Sequence, residues 1–167
     1  NAVKRLHEAG HQDFRMAVNV STNQFRQPGF LSMIDNALEE YEIPPHLLEL
    51  EITESIAAMG FTYVEETLCA LRQRGISVAI DDFGTGYSSL SYLKRFPVSR
   101  LKIDISFVRD MLSDRNDRSI VGTIIAMGRG MELETLAEGI EHADQATALL
   151  AMGCHLAQGF HFGRPKP

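Results

Sequence analysis

Cysteine is scarce in this sequence. Only Cys69 and Cys154 are present. They lie far apart and form no metal-ligand pair, which argues against a disulfide framework and leaves two free thiols suited to a reducing cytosol. Long apolar runs are missing too: none approaches the ~20 residues that a membrane-spanning helix needs, and no stretch reads as a secretory leader. Positive charge is in deficit, with 16 Lys and Arg against 22 Asp and Glu and a net charge of −6. General affinity for DNA or RNA polymers needs clustered cations that release counterions from phosphate, so no nucleic-acid polymer is expected as a partner. A small anionic ligand held through metal ions is compatible with this balance. The expected location is cytoplasmic, alone or as part of a membrane-anchored or multidomain protein.

The sequence also lacks an initial Met. Behind Asn1, the residues Ala2, Val3, Leu6 and Ala9 already fall on one helix face, and Gly10 can stop that helix. A natural protein seldom starts inside a helix, so the expectation is a piece of something longer.

What is present is a repeat of short apolar strands and amphipathic helices, the signature of a parallel α/β architecture. Strands are predicted at Arg15–Ser21, Leu48–Thr53, Ser77–Asp82, Arg100–Asp104, Glu134–Ala137 and His155–Gln158. Helices are predicted at about Phe30–Tyr41, Tyr63–Arg74, Asp117–Met127 and Ala143–Met152, with a short one through Leu90 and Leu93. Thr62 and Glu65 fit a capping box for the second of these, and Gly75 closes its far end. A doubly wound sheet would usually carry G-x-G-x-x-G after its first strand. None follows Val20. The preferred fold is therefore a TIM-like (β/α) barrel, α/β in class, incomplete by about two strands of the usual eight at its N-terminal side.

The informative residues stand at the strand ends: Asn19, Glu51, Asp81 with Asp82, Lys102, Glu138 and Gln158. In a barrel of parallel strands these ends open on one face, the face that holds active sites. Any one such acid is usually a solvated loop residue or a helix cap; its recurrence strand after strand is what needs a cause. Glu51, Asp81, Asp82 and Glu138 would repel one another, and Lys102 alone cannot neutralise them. Oxygen donors with no His or Cys among them suit hard cations, Mg²⁺ or Mn²⁺. Two adjacent Asp residues can serve a pair of ions about 3.5–4 Å apart, the usual device for in-line displacement at phosphorus. His7 and His11 at helical spacing, and His155 and His161, read as ordinary residues. The stretch DDFGTGYSSL lacks the Lys of a phosphate-binding Walker loop and reads as a mobile loop with Gly84 and Gly86 as hinges.

Six segments together carry a family resemblance: NVS at Asn19–Ser21, ELEITES at Glu49–Ser55, DDFGTGYSSL at Asp81–Leu90, LKID at Leu101–Asp104, AEGIE at Ala137–Glu141 and QGFHFGRP at Gln158–Pro165. In order and spacing, over nearly the whole chain, they resemble the EAL domain. The resemblance implies a TIM-like barrel whose first strand is antiparallel, and hydrolysis of cyclic di-GMP to linear pGpG with two Mg²⁺ or Mn²⁺ ions. It implies Asn19, Glu51 and Asp81 as ligands of one ion, and Asp81 and Asp82 as the holders of the second, with Asp81 bridging. Lys102 would orient the attacking water and offset charge. Glu138 would be general base or second-metal partner, supported by Glu141 and Gln158. Glu54 would steady the loop Phe83–Ser89, including Gly84, Thr85 and Gly86, which the family links to dimerisation and to metal and substrate binding. The resemblance places the Glu-Ala-Leu segment on a strand expected several tens of residues before residue 1, so its first-metal Glu and the nearby Arg that touches substrate phosphate do not occur in this sequence. His142 stands where the family often has Thr.

These features set the expectations. Residues 1–167 form one EAL-type domain, the C-terminal portion of the barrel, impaired in turnover by itself. An unpaired strand edge favours a homodimer or strand-exchanged oligomer, and an upstream regulatory domain completes the protein. The rival readings are a catalytically inactive cyclic di-GMP sensor and a protein-interaction module.

Overall fold

The computed structural model describes residues 2–11, 14–57, 60–86 and 90–164. In chain order the elements are α1 (Ala2–Glu8), β1 (Met16–Val20), α2 (Thr22–Phe25), α3 (Phe30–Glu40), β2 (Leu48–Thr53), α4 (Glu54–Ala57), α5 (Phe61–Gln73), β3 (Ser77–Phe83), α6 (Leu90–Leu93), β4 (Arg100–Ile103), α7 (Ile105–Asp110), α8 (Arg115–Gly130), β5 (Glu134–Ala137), α9 (Ala143–Met152) and β6 (Leu156–Ala157). A 3₁₀ turn at Pro45–Leu47 leads into β2. The strands form one sheet in chain order, β1-β2-β3-β4-β5-β6, and the pairs β1–β2, β4–β5 and β5–β6 are parallel. Parallel neighbours joined by helices are the α/β pattern that the alternating sequence predicts.

The chain divides into two compact units, Asn1–Ala79 with Leu90–Val98, and Ile80–Ser89 with Ser99–Pro167. In the first, α5 turns Val64, Leu68 and Leu71 inward at helical spacing, all fully buried. They belong to a core with Phe25, Leu47, Ile52 and Ile56. Phe25 stacks obliquely on Phe30 and meets Tyr63 edge-on, with ring centroids 5.3 and 6.0 Å apart. The capping box expected from Thr62 and Glu65 does not form. The helix starts earlier, at Phe61, after Gly60 with φ 37°. Thr62 is thereby inside the helix, and Glu65 pairs with Arg95 at 2.5 Å instead. The capping box of this unit is at α2, where Ser21 and Gln24 bond reciprocally.

In the second unit α8 buries Val121, Ile124, Ile125 and Gly128. Gly128 is a place where only glycine fits: a Cβ there would stand 2.4 Å from Thr135 Cγ2 on β5. The helix begins at Arg115, earlier than Asp117, because Asp114 caps it by accepting from the N–H groups of Asn116 and Asp117. The β4–β5 register sets Arg100 opposite Glu134, and their side chains pair across the ladder at 2.7 Å. The ladder continues past β5 and β6: Glu138 N–H donates to Ile103 O, and Gln158 N–H to Ala137 O. Cys154 is buried, with its thiol donating toward the carbonyls of Thr135 and Leu156; burial pushes its pKa up. Cys69, on α5 of the other unit, is exposed. No helix among the described residues is long and apolar enough to cross a membrane.

Candidate active site

The end of β3 departs from regular strand geometry where the chemistry is. Successive residues of a strand point to opposite faces, so Asp81 and Asp82 should diverge. Asp82 instead has φ 52°, a left-handed backbone that Asp tolerates better than most residues. Its N–H turns back to Asp81 Oδ1 at 3.1 Å. With the alternation broken, carboxylate oxygens of Asp81, Asp82 and Glu138 all lie within 4.8 Å of one another. The turn that follows is pinned by Thr85, whose Oγ1 donates to Asp82 O at 2.8 Å. Gly84, at φ 100°, approaches Phe107 so closely that a Cβ would be 3.1 Å from its ring. Gly86 is exposed. The rest of the expected loop, 87–89, falls outside the described residues.

Lys102 sits between the acids. Only 3% exposed, it places Nζ 2.9 Å from Asp81 Oδ1 and 2.8 Å from Glu138 Oε1. Two carboxylates that bond the ammonium offset the cost of burying it at this depth. Glu138 Oε1 also accepts from Gln158 Nε2. Asp104, which closes β4 and caps α7 by accepting from Ser106 N–H, adds a fourth carboxyl. Burial raises the pKa of Asp82 first, the neighbouring Asp81 carboxylate second, and hydrogen bonding to Asp104 third. Burial pushes Asp104 the same way, but bonds from the Ser106 hydroxyl and N–H outweigh it and hold Asp104 below the usual carboxylate range. Asp82 is thus the member of this pair that keeps a proton longest.

Four carboxyls around one ammonium leave an excess of negative charge. The donor set is oxygen only, with no His or Cys, and fits hard divalent cations. Glu141 is exposed and is not a member of the three-carboxylate group; its backbone N–H donates to Gln145 Oε1 at 2.9 Å.

The other predicted residues lie in the first unit. Asn19 and Glu51 are register partners on β1 and β2, so their side chains leave one face of the sheet at one level. Glu51 is buried at 7% exposure and Asn19 is exposed. Glu54 opens α4, buried at 6% exposure, and accepts from the Tyr92 hydroxyl at 3.2 Å. Reading by sequence passed over Asp104, Tyr92 and Gln145. Asp104 met the same strand-end criterion as its neighbours, in the LKID segment. Tyr92 carried no local signal, since its partner is 38 residues away; the residues to which the Gln145 amide donates, Val108 and Arg109, are likewise 37 and 36 residues away.

A family model described as "EAL domain" matches residues 1–165. The chain belongs to the EAL domain family. EAL domains are TIM-like barrels, the class to which the strand-and-helix order pointed. Among curated relatives, the bifunctional diguanylate cyclase/cyclic di-GMP phosphodiesterase MucR of Pseudomonas aeruginosa is 44% identical over 160 residues, covering 96% of this chain and 23% of MucR. The solved PaMucR phosphodiesterase, in complex with c-di-GMP, superposes with a TM-score of 0.95 at 43% identity over 98% of this chain and 66% of that one. The manganese and cyclic di-GMP complex of Klebsiella pneumoniae BlrP1 gives a TM-score of 0.86 at 30% identity, over 98% of this chain and 42% of that one. The chain thus spans under a quarter of the length of the MucR relative.

Proposed function

We propose that this EAL domain contributes the metal-holding centre of a phosphodiesterase that hydrolyses cyclic di-GMP to linear pGpG. The observation that carries the reading is the group of Asp81, Asp82 and Glu138, with oxygens within 4.8 Å of one another and Lys102 bonded to two of them. Relatives with that name and with that ligand support the substrate, and a relative holding manganese supports the metal class.

In this reading Asp81, Asp82 and Glu138 hold divalent cations, Mg²⁺ or Mn²⁺. When bound, a pair of such ions supplies Lewis-acid polarisation of the phosphodiester and lowers the pKa of a water. The chain's own residues do the rest. Lys102 offers its ammonium to charge that develops on the phosphoryl oxygens. Glu138 accepts the proton of the attacking water, and Gln158 fixes its carboxylate through Oε1. Asp104 orients Asp82. Glu54, bonded to Tyr92, steadies α6, and Glu141 supports the loop after β5.

The test is Asp81→Asn in a protein carrying the complete domain, assayed for pGpG with Mn²⁺. Loss of product by a factor of about 10³ or more is expected for a metal ligand; an unchanged rate overturns the reading. Retained cyclic di-GMP binding with no hydrolysis in the unsubstituted domain would make it a sensor.

A further inference from the structure

Gln145, in the first turn of α9, is 3% exposed, and its amide is fully used. Oε1 accepts from the N–H groups of Glu141 and His142 at 2.9 and 3.0 Å. Nε2 donates to the carbonyls of Val108 and Arg109 at 3.1 and 3.3 Å. An amide offers two donors and two acceptor lone pairs, so nothing is left over. A cap for α9 needs only the acceptor bonds, and a cap for the last carbonyls of α7 needs only the donor bonds. Having both fastens two backbone segments to each other.

Those two segments carry the partners of one ion pair. Helix α7 starts at its cap Asp104, two residues after Lys102. The loop that Gln145 grips starts at Glu138, the other end of the 2.8 Å pair with Lys102. The surroundings leave the loop little slack. Gly139, at φ 71°, lies against Ile105 so closely that a Cβ would fall 2.1 Å from Ile105 Cγ1. Ile140 N–H donates to Gln158 O, and Ile140 O accepts from His161 N–H.

We propose that Gln145 is a positioning residue that holds Glu138 against Lys102 and beside Asp81 and Asp82, and thereby sets the cation affinity of the cluster. The proposal rests on the reading of that cluster as a cation site. The experiment is calorimetric titration of the chain with Mn²⁺, in the wild type and in Gln145→Glu, Gln145→Ala and Asp81→Asn, with far-UV circular dichroism to select variants that are folded. Gln145→Glu keeps the shape and both acceptor bonds but turns an oxygen toward two carbonyls. Both Gln145 variants should bind Mn²⁺ about tenfold or more weakly, the usual cost of losing the group that orients a ligand. Asp81→Asn should bind none. Wild-type affinity in a folded Gln145→Ala protein overturns the proposal. If the wild type takes up no Mn²⁺, the cation reading falls by itself, and amide hydrogen exchange judges Gln145. Gln145→Ala should then speed exchange at 138–142 about tenfold while 121–125 of α8 stay protected, as local opening requires. Equal loss in both segments makes Gln145 an ordinary stabilising residue and overturns the proposal.

Discussion

Lys102 carries the electrostatic load of the second unit. It is buried and bonded to Asp81 and Glu138, so its removal leaves two carboxylates facing each other without a counter-charge. Breaking one side of a buried pair costs about 3 kcal/mol or more. Lys102→Met should therefore lower unfolding free energy by about that amount in urea denaturation, and added Mn²⁺ should restore part of it, because a divalent ion replaces the missing charge. Asp82 gives a second expectation. Its pKa is raised, by burial first and by Asp81 second, so it retains a proton at a pH where an ordinary carboxylate has lost one. A cation must displace that proton. Cation affinity should then climb with pH until Asp82 is ionised and level off above, with proton release detectable as a dependence of the binding heat on buffer. Affinity that is flat across the acid range would contradict this. At this scale the strand-end pattern of the sequence named Asp81, Asp82, Lys102 and Glu138, which the fold brings together, but not Asp104 beside them. Nor was the backbone of Asp82 legible, whose φ of 52° no residue pattern announced.

Elements were readable in proportion to their periodicity. The bounds of β2 and β5, Leu48–Thr53 and Glu134–Ala137, match the sequence reading residue for residue, as does α9 with Gly153 at φ 91° behind it. The four-residue helices α2 and α4 were missed, because one turn shows no period. Helix α8 starts at Arg115, two residues before the expected Asp117, because Asp114 caps it there. That cap should be worth about 1 kcal/mol, the loss expected for Asp114→Ala in thermal or urea unfolding. A surface pair gives the opposite lesson. Asp35 bonds Arg74 with both oxygens, at 2.7 and 2.9 Å, and its hydrogen bonds to the guanidinium hold its pKa below the usual carboxylate value. The sign is fixed: the stabilisation is complete above the unfolded pKa and is lost as pH falls through the folded one. Both partners are well exposed to solvent, so solvent screening limits the effect to about 0.5 kcal/mol. Asp35→Asn should leave stability at neutral pH lower by no more than that.

For the whole molecule, the strand order follows the chain, and the alternation of strands and helices was enough to anticipate it. Among the described strands β1 stands at one end of the order, with Val18 43% exposed. A terminal strand can pair with a strand of a second copy. The mass measured by analytical ultracentrifugation should rise with concentration, and Val18→Lys should suppress the rise; a monomer at every concentration would refute edge pairing. What the pattern of residues did not convey is the division into two compact units, with β3 passing from one to the other. That division depends on contacts far apart in sequence.

The contrasting environments of the two thiols supply a clock that needs no engineered label. A maleimide added to the folded chain should modify Cys69 at once and Cys154 only as often as the second unit opens, since a buried, protonated thiol is a poor nucleophile. Mass spectrometry of the singly and doubly modified species over time would then report the opening rate of the part of the molecule that carries the acids, in the unaltered protein and under any cation or nucleotide added to it.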